Sequence, residues 1–283
     1  MRSPRQPPKP HTWKVSDGYE LRGRLWPPSQ PASDTAIVYL HGIQSHGGWF
    51  EWSASLLAGA GPPVLLPDRR GSGLNTAARG DTPAAQRWLD DLNELADWAA
   101  AEFGVRRCAV VGVSWGGKLA LAWALQRPQR VSRVLLIAPG LFPAVDVTPL
   151  TRLRIGLALL TAPQRPFGIP LDDPALFTDS PEGRAFIAGD PLKLTHATAR
   201  FFYESARLDR QLARTPAGTL QPPVRLLLAG RDRIIRNEPT VAWLRRIAAQ
   251  PPEIHIDSDA AHTLEFEVER TTLEEQLTHW LAM

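Results

Sequence analysis

Hydrophobic positions along this chain fall into two alternating patterns. Short, mostly apolar runs recur at residues 36–40, 64–66, 109–113, 134–138, 224–229 and 254–256. Strands covered on both faces read this way, whereas a half-exposed strand alternates polar and apolar positions. Between the runs the spacing lengthens to that of helices. Trp88, Leu92, Leu95, Ala99 and Phe103 recur every three or four residues, with Thr82 placed to cap that helix and Pro83 to open it. Further helices are predicted over 49–60, 116–126, 239–249 and 268–281. Near the start, 12–15 and 21–26 flank Asp17-Gly18 and predict a hairpin.

Strand and helix in repeated alternation predict an α/β protein with a mostly parallel central sheet and helices on both faces. One stretch breaks the rhythm. Residues 140–219 show no clear strand, several prolines, and helical patterns at 151–161 and 194–212. They predict a helical cap over the C-terminal edge of the sheet, where open α/β sheets bind ligands. The predicted organisation is a proline-rich flexible tail (1–11), a core in two parts (12–139 and 220–283), and the cap between them.

Composition narrows the class further. With 283 residues, 43% of them hydrophobic and 22% charged, the chain can bury a substantial core. A single cysteine, Cys108, excludes a disulfide scaffold. The net charge of +3 comes mostly from arginines scattered along the chain. No nucleic-acid footprint is predicted, because that needs basic residues gathered on one face. The N-terminal residues lack the apolar run of a signal peptide. The longest apolar run, at 155–160, is far short of the ~20 residues that span a bilayer. A cytoplasmic protein is the expectation.

The chemistry centres on Gly112-Val113-Ser114-Trp115-Gly116, which lies between an apolar run and a helical pattern. In a sharp strand-to-helix turn the serine is held in strained geometry with its hydroxyl exposed, and glycines must flank it. A serine hydroxyl is a weak nucleophile near neutral pH, so it needs a base and an acid to orient that base. Of seven histidines, His262 lies in the loop after the final strand, where the order Ser–Asp–His requires its base. Asp232, just beyond the 224–229 strand, completes that order. Asp257 and Asp259 are nearer to His262 in sequence, Asp68 is a rival at another strand end, and Arg231 or Arg233 could instead claim Asp232 in a salt bridge. Backbone N–H donors for an oxyanion are expected at Trp115 and in the loop after 36–40, at Ile43 or else Gln44.

These residues carry a family resemblance. His41-Gly42, Ser45 to Trp49, Asp68-Arg69-Arg70-Gly71-Ser72-Gly73, the turn at Ser114, Gly230-Arg231-Asp232 and Ala261-His262 together resemble the α/β-hydrolase superfamily. Within it the chain is similar to the monoacylglycerol lipase/lysophospholipase-like group, classed with serine aminopeptidase-type hydrolases. The resemblance implies an α/β-hydrolase fold with Ser114 as nucleophile, His262 as base, Asp232 as acid, and Ile43 and Trp115 at the oxyanion. It implies no cofactor and no metal. Its expected substrates are lipid-like esters (monoacylglycerols or lysophospholipids) or small acyl esters. Amide, peptide or carbon–carbon bond hydrolysis and acyl transfer use the same triad, and the Ser114-Trp115-Gly116 turn resembles proline iminopeptidases. A non-catalytic binding protein on this fold is the alternative from another class. Asp68 to Gly73 reads as a structural turn, with a pocket wall as the second reading. The apolar stretch at 152–160 is expected to pack on the core, with contact to a membrane or an acyl chain as the second reading.

Overall fold

The computed structural model describes residues 3–29 and 34–282. In chain order it begins with β1 (Lys9–Lys14), β2 (Glu20–Trp26), β3 (Thr35–Leu40), α1 (Glu51–Gly59), β4 (Val64–Pro67) and α2 (Ala85–Phe103). Next come β5 (Arg107–Val113), α3 (Trp115–Gln126) and β6 (Val131–Ile137). An insertion then carries α4 (Pro149–Thr161), β7 (Pro166–Gly168), α5 (Pro181–Gly189), β8 (His196–Thr198) and α6 (Ala199–Ala213). The chain closes with β9 (Val224–Ala229), α7 (Asn237–Ile247), β10 (Glu253–Asp257) and α8 (Thr271–Ala282).

The main sheet has eight strands in the order β1-β2-β4-β3-β5-β6-β9-β10. β2 runs antiparallel to β1 and β4, and every other neighbouring pair is parallel. The predicted α/β class and mostly parallel sheet are thus observed. β4 and β9 are buried at every position, which is why their sequences show no alternation. Helices cover both faces, with α1 packed beside α8 and α2 beside α3. Among the described residues no helix is long and apolar enough to cross a membrane.

Four expectations need correction. The tail predicted over 1–11 is a strand from Lys9 onward, and two of its residues lie outside the described ones. Pro10 is tolerated there because β1 is an edge strand, where a missing N–H costs no ladder bond. Arg5 and Gln6 are also tied down: the Arg5 amide donates to Ser55 Oγ, and Trp26 Nε1 donates to Gln6 O. Thr82 and Pro83 do not open α2. Ala84 is its N-cap residue, and the first helical amide, Ala85 N, donates to Glu204 Oε2 on α6. The insertion does contain strands, a short antiparallel β7–β8 ribbon of three residues each. Lastly, α4 leaves four of its five leucines exposed, Leu159 alone being half-buried. Ile155 and Ala158 face inward, while Leu150, Leu153, Leu157 and Leu160 stay in solvent.

One core carboxyl makes stability pH-dependent. Glu265 is fully buried, and burial pushes its pKa up to about 7 against a hydrogen bond from Ser53 N. The folded chain keeps this proton to about pH 7, whereas an unfolded chain releases it near 4.5. Raising pH through that window therefore weakens the fold, by about 3 kcal/mol for a shift of this size. Glu265→Gln mimics the protonated group. It is expected to raise the melting temperature at pH 8 and leave it unchanged near pH 4.5. Equal effects at both pH values would show that the carboxyl stays ionised.

Candidate active site

The turn from β5 into α3 gives Ser114 φ 50° and ψ −124°, a conformation that non-glycine residues avoid. Surrounding hydrogen bonds hold it there. Ser114 N donates to Ile137 O at 2.9 Å, and Gly117 N and Gly140 N donate to Ser114 O at 2.9 and 2.7 Å. The flanking glycines are needed for close approach. A Cβ on Gly116 would sit 2.4 Å from Leu40 O, and one on Gly112 would sit 2.7 Å from Gly117 Cα.

The loops after β9 and β10 bring Asp232 and His262 to this hydroxyl. His262 Nε2 is 2.9 Å from Ser114 Oγ, and His262 Nδ1 is 2.8 Å from Asp232 Oδ2. An ionised carboxylate only accepts, so the proton belongs on Nδ1 and Nε2 is left to accept from the serine hydroxyl. The other oxygen, Asp232 Oδ1, accepts the Ile234 and Ile235 amides at 2.8 and 2.9 Å. The two side chains of the Asp–His pair are 1% and 2% exposed, so solvent does not compete for these bonds.

The rival assignments separate cleanly. Arg231 and Arg233 do not claim Asp232, since both pair with Asp179 in the cap. Asp68 accepts the Gly47 and Leu74 amides and pairs with Arg24, so it knits turns together. Asp257, the last residue of β10, accepts the Asp259 amide. His41 is buried, and its pKa is held well below the ordinary value, first by desolvation and then by Arg69. His46 pairs with Asp190, which also accepts from Trp49 Nε1, and this joins the loop after β3 to the cap.

Gly42 lies against the serine, because a Cβ there would be 3.3 Å from Ser114 Cβ. Ile43, whose amide comes next, and Trp115, whose amide starts α3, line a common cavity with Ser114. Among the described residues neither amide donates to a protein acceptor. This cavity, of about 480 Å³, is roofed by α4 and α6. Ile155, Leu159, Ile169, Leu171 and Phe202 make its walls apolar. Two ion pairs interrupt that lining, Lys118–Asp209 and Arg152–Asp146, each at 2.7 Å. Sequence reasoning missed this charged lining, because its partners lie on separate elements. It also missed the side chain of Arg69, which reaches Gly42 and Ile43 from a segment that reads as a plain turn.

A mostly parallel eight-stranded sheet with a serine turn after its central strand and a helical cap defines an α/β-hydrolase. The chain belongs to the serine aminopeptidase S33 family, whose family model matches residues 31–269. It is 25% identical over 253 residues to the uncharacterized protein YnbC of Escherichia coli. That match covers 88% of this chain but 42% of YnbC, so the chain spans less than half of that relative. It is 23% identical to the phospholipase YtpA of Bacillus subtilis, covering 79% of this chain and 85% of YtpA. Among solved structures, a soluble variant of the Saccharomyces cerevisiae monoglyceride lipase, bound to a substrate analog, superposes with a TM-score of 0.81. The identity there is 18%, over 98% of this chain and 95% of the yeast chain.

Proposed function

We propose that this hydrolase cleaves carboxylic esters through an acyl-enzyme, with Ser114 as nucleophile. His262 Nε2 takes the Ser114 proton as Oγ bonds to the ester carbonyl carbon. The Ile43 and Trp115 amides hold the resulting oxyanion, a contribution typically worth 10²–10³ in rate per donor. His262 then passes the proton to the departing alcohol. A water molecule next gives a proton to His262 and its oxygen to the acyl carbon, and collapse frees the acid and restores Ser114. Asp232 keeps His262 in the required tautomer and stabilises its cationic form. The single observation that carries this reading is the unbroken hydrogen-bond chain from Ser114 Oγ through His262 to Asp232.

The proposed substrates are monoacylglycerols, lysophospholipids or related acyl esters. Apolar walls suit an acyl chain, and the ion pairs in the lining suit a polar head. The names of YtpA and of the yeast enzyme point the same way. The test is hydrolysis of p-nitrophenyl esters from acetyl to palmitoyl. A Ser114-dependent maximum at long chains supports lipid substrates, and a maximum at acetyl replaces them with small esters. No cleavage despite fluorophosphonate labelling of Ser114 would move the substrate class to amides or peptides.

A lipid surface is the proposed partner of α4. Leu150, Leu153, Leu157 and Leu160 line one exposed face, Leu160 being 83% exposed, and Arg152 and Arg154 flank it. Apolar residues edged by cations suit the interface of an anionic bilayer. Leu157→Glu/Leu160→Glu is expected to reduce co-sedimentation with phosphatidylglycerol vesicles by about tenfold, with acetyl-ester hydrolysis unchanged. Equal sedimentation of mutant and parent would remove the lipid from the proposal.

A further inference from the structure

Arg69 follows β4 and turns its guanidinium inward, beneath the two amides assigned to the oxyanion. The residue is 8% exposed, and its side-chain hydrogen bonds go to carbonyls alone. Nη1 donates to Gly42 O at 3.0 Å and Nη2 donates to Ile43 O at 3.0 Å. The guanidinium carbon lies 4.6 Å from the centroid of the Trp115 ring and 5.3 Å from that of Phe201. Burial pulls the Arg69 pKa down to about 9, so the group still carries its charge at neutral pH.

The Gly42 carbonyl and the Ile43 N–H are two ends of one peptide unit. That unit is planar and trans, so its oxygen and hydrogen point in opposite directions, and fixing the oxygen aims the hydrogen. Gly42 O is fixed twice, by Arg69 and by His41 Nδ1 at 2.8 Å. His41 is itself oriented by Arg69, whose backbone N–H donates to His41 Nε2 at 2.8 Å. The bond to Ile43 O holds the following peptide plane as well. A cation on a carbonyl oxygen also draws density from the amide nitrogen, which strengthens the N–H as a donor, because linked hydrogen bonds polarise one another. Trp115, source of the second amide, is seated against the face of the same cation. Burying a charge is costly, and a turn that only joins β4 to α2 has no use for one.

We infer that Arg69 is a positioning residue of the oxyanion hole: it aims and polarises the Gly42–Ile43 peptide through its carbonyl and seats Trp115. The inference rests on the acyl-enzyme reading above. Arg69 acts through the two amides, without touching the substrate.

The experiment compares Arg69→Gln and Arg69→Lys with wild type on a short-chain p-nitrophenyl ester. Live sites are counted by fluorophosphonate labelling, and an alkylboronic acid, whose serine adduct is a tetrahedral anion, reports on the oxyanion hole. For Arg69→Gln, kcat per live site should fall roughly ten- to hundredfold, with KM within about twofold and the boronate Ki raised by the same factor as kcat falls. Arg69→Lys keeps the charge and loses the planar fork, so it should fall between the two. A lower melting temperature with unchanged kcat per site and unchanged Ki would overturn the inference. So would a changed KM with unchanged Ki, which would mark Arg69 as shaping the cavity. If Arg69→Gln does not fold, Arg69→Lys decides: a joint loss of kcat and boronate affinity supports the inference, and wild-type values for both overturn it. A wild-type protein that cleaves the ester without dependence on Ser114, or whose Ser114 fluorophosphonate does not label, sinks the acyl-enzyme reading itself, and this inference with it, before any Arg69 variant is made.

Discussion

Ser114→Ala is expected to lower kcat on p-nitrophenyl butyrate by roughly 10⁴-fold or more, because the group that attacks the carbonyl is removed. The fold should survive. Alanine has the same Cβ, so the left-handed turn at φ 50° is strained no further than in the parent. The backbone bonds to Ile137 O, Gly117 N and Gly140 N are untouched by the change. A melting temperature within a few degrees of wild type is therefore expected beside the lost activity. Some residual catalysis should remain, since the Ile43 and Trp115 amides and the cavity still bind the ester and polarise it for attack by water. A folded variant retaining a tenth of wild-type kcat would mean that another group attacks, and the acyl-enzyme reading would fail.

How much of this was legible in the sequence differs by element. The interior strands could be read because burial on both faces leaves an unbroken apolar run, as in β9. The body of α2 could be read because its inward face repeats with the helical turn. Its start could not: Thr82 and Pro83 look like a local cap, but the carboxylate that meets the first helical amide comes from Glu204, far along the chain. β7 and β8 escaped because three residues are too few to show a period. The exposed leucines of α4 were misjudged for a related reason. A mostly apolar stretch does not say which positions face a core, and here that face is Ile155 and Ala158.

The candidate site was legible to the extent that its chemistry follows chain order. A glycine-flanked serine after one strand, an aspartate after another and a histidine after the last are recognisable because the parallel sheet delivers all three strand ends to one edge. What lies beneath them was hidden. Arg69 sits among residues that read as a turn, and only the folded chain shows its guanidinium under the Gly42 and Ile43 carbonyls. The same holds for Asp190, whose bonds to His46 and Trp49 tie the cap to the loop after β3.

Asp232→Asn should lower kcat by roughly 10⁴-fold while keeping the site's shape, because it reverses the tautomer of His262. The direction is fixed by the surroundings. Two backbone amides, Ile234 N and Ile235 N, donate to Oδ1, so the asparagine must present its carbonyl oxygen there. Its NH2 group is then forced into the Oδ2 position, facing His262 Nδ1. As a donor, it requires Nδ1 to accept, and the ring proton moves to Nε2. A protonated Nε2 cannot take the Ser114 proton, so the serine is left unactivated at the same 2.9 Å separation. Asp259→Asn is the control, an exposed aspartate nearer to His262 in sequence, and it should leave kcat within about twofold. The measurement is kcat together with the rate of fluorophosphonate labelling, and both should fall in Asp232→Asn. If labelling keeps its wild-type rate, His262 does not depend on Asp232 for its tautomer, and the acid must be sought elsewhere around the ring.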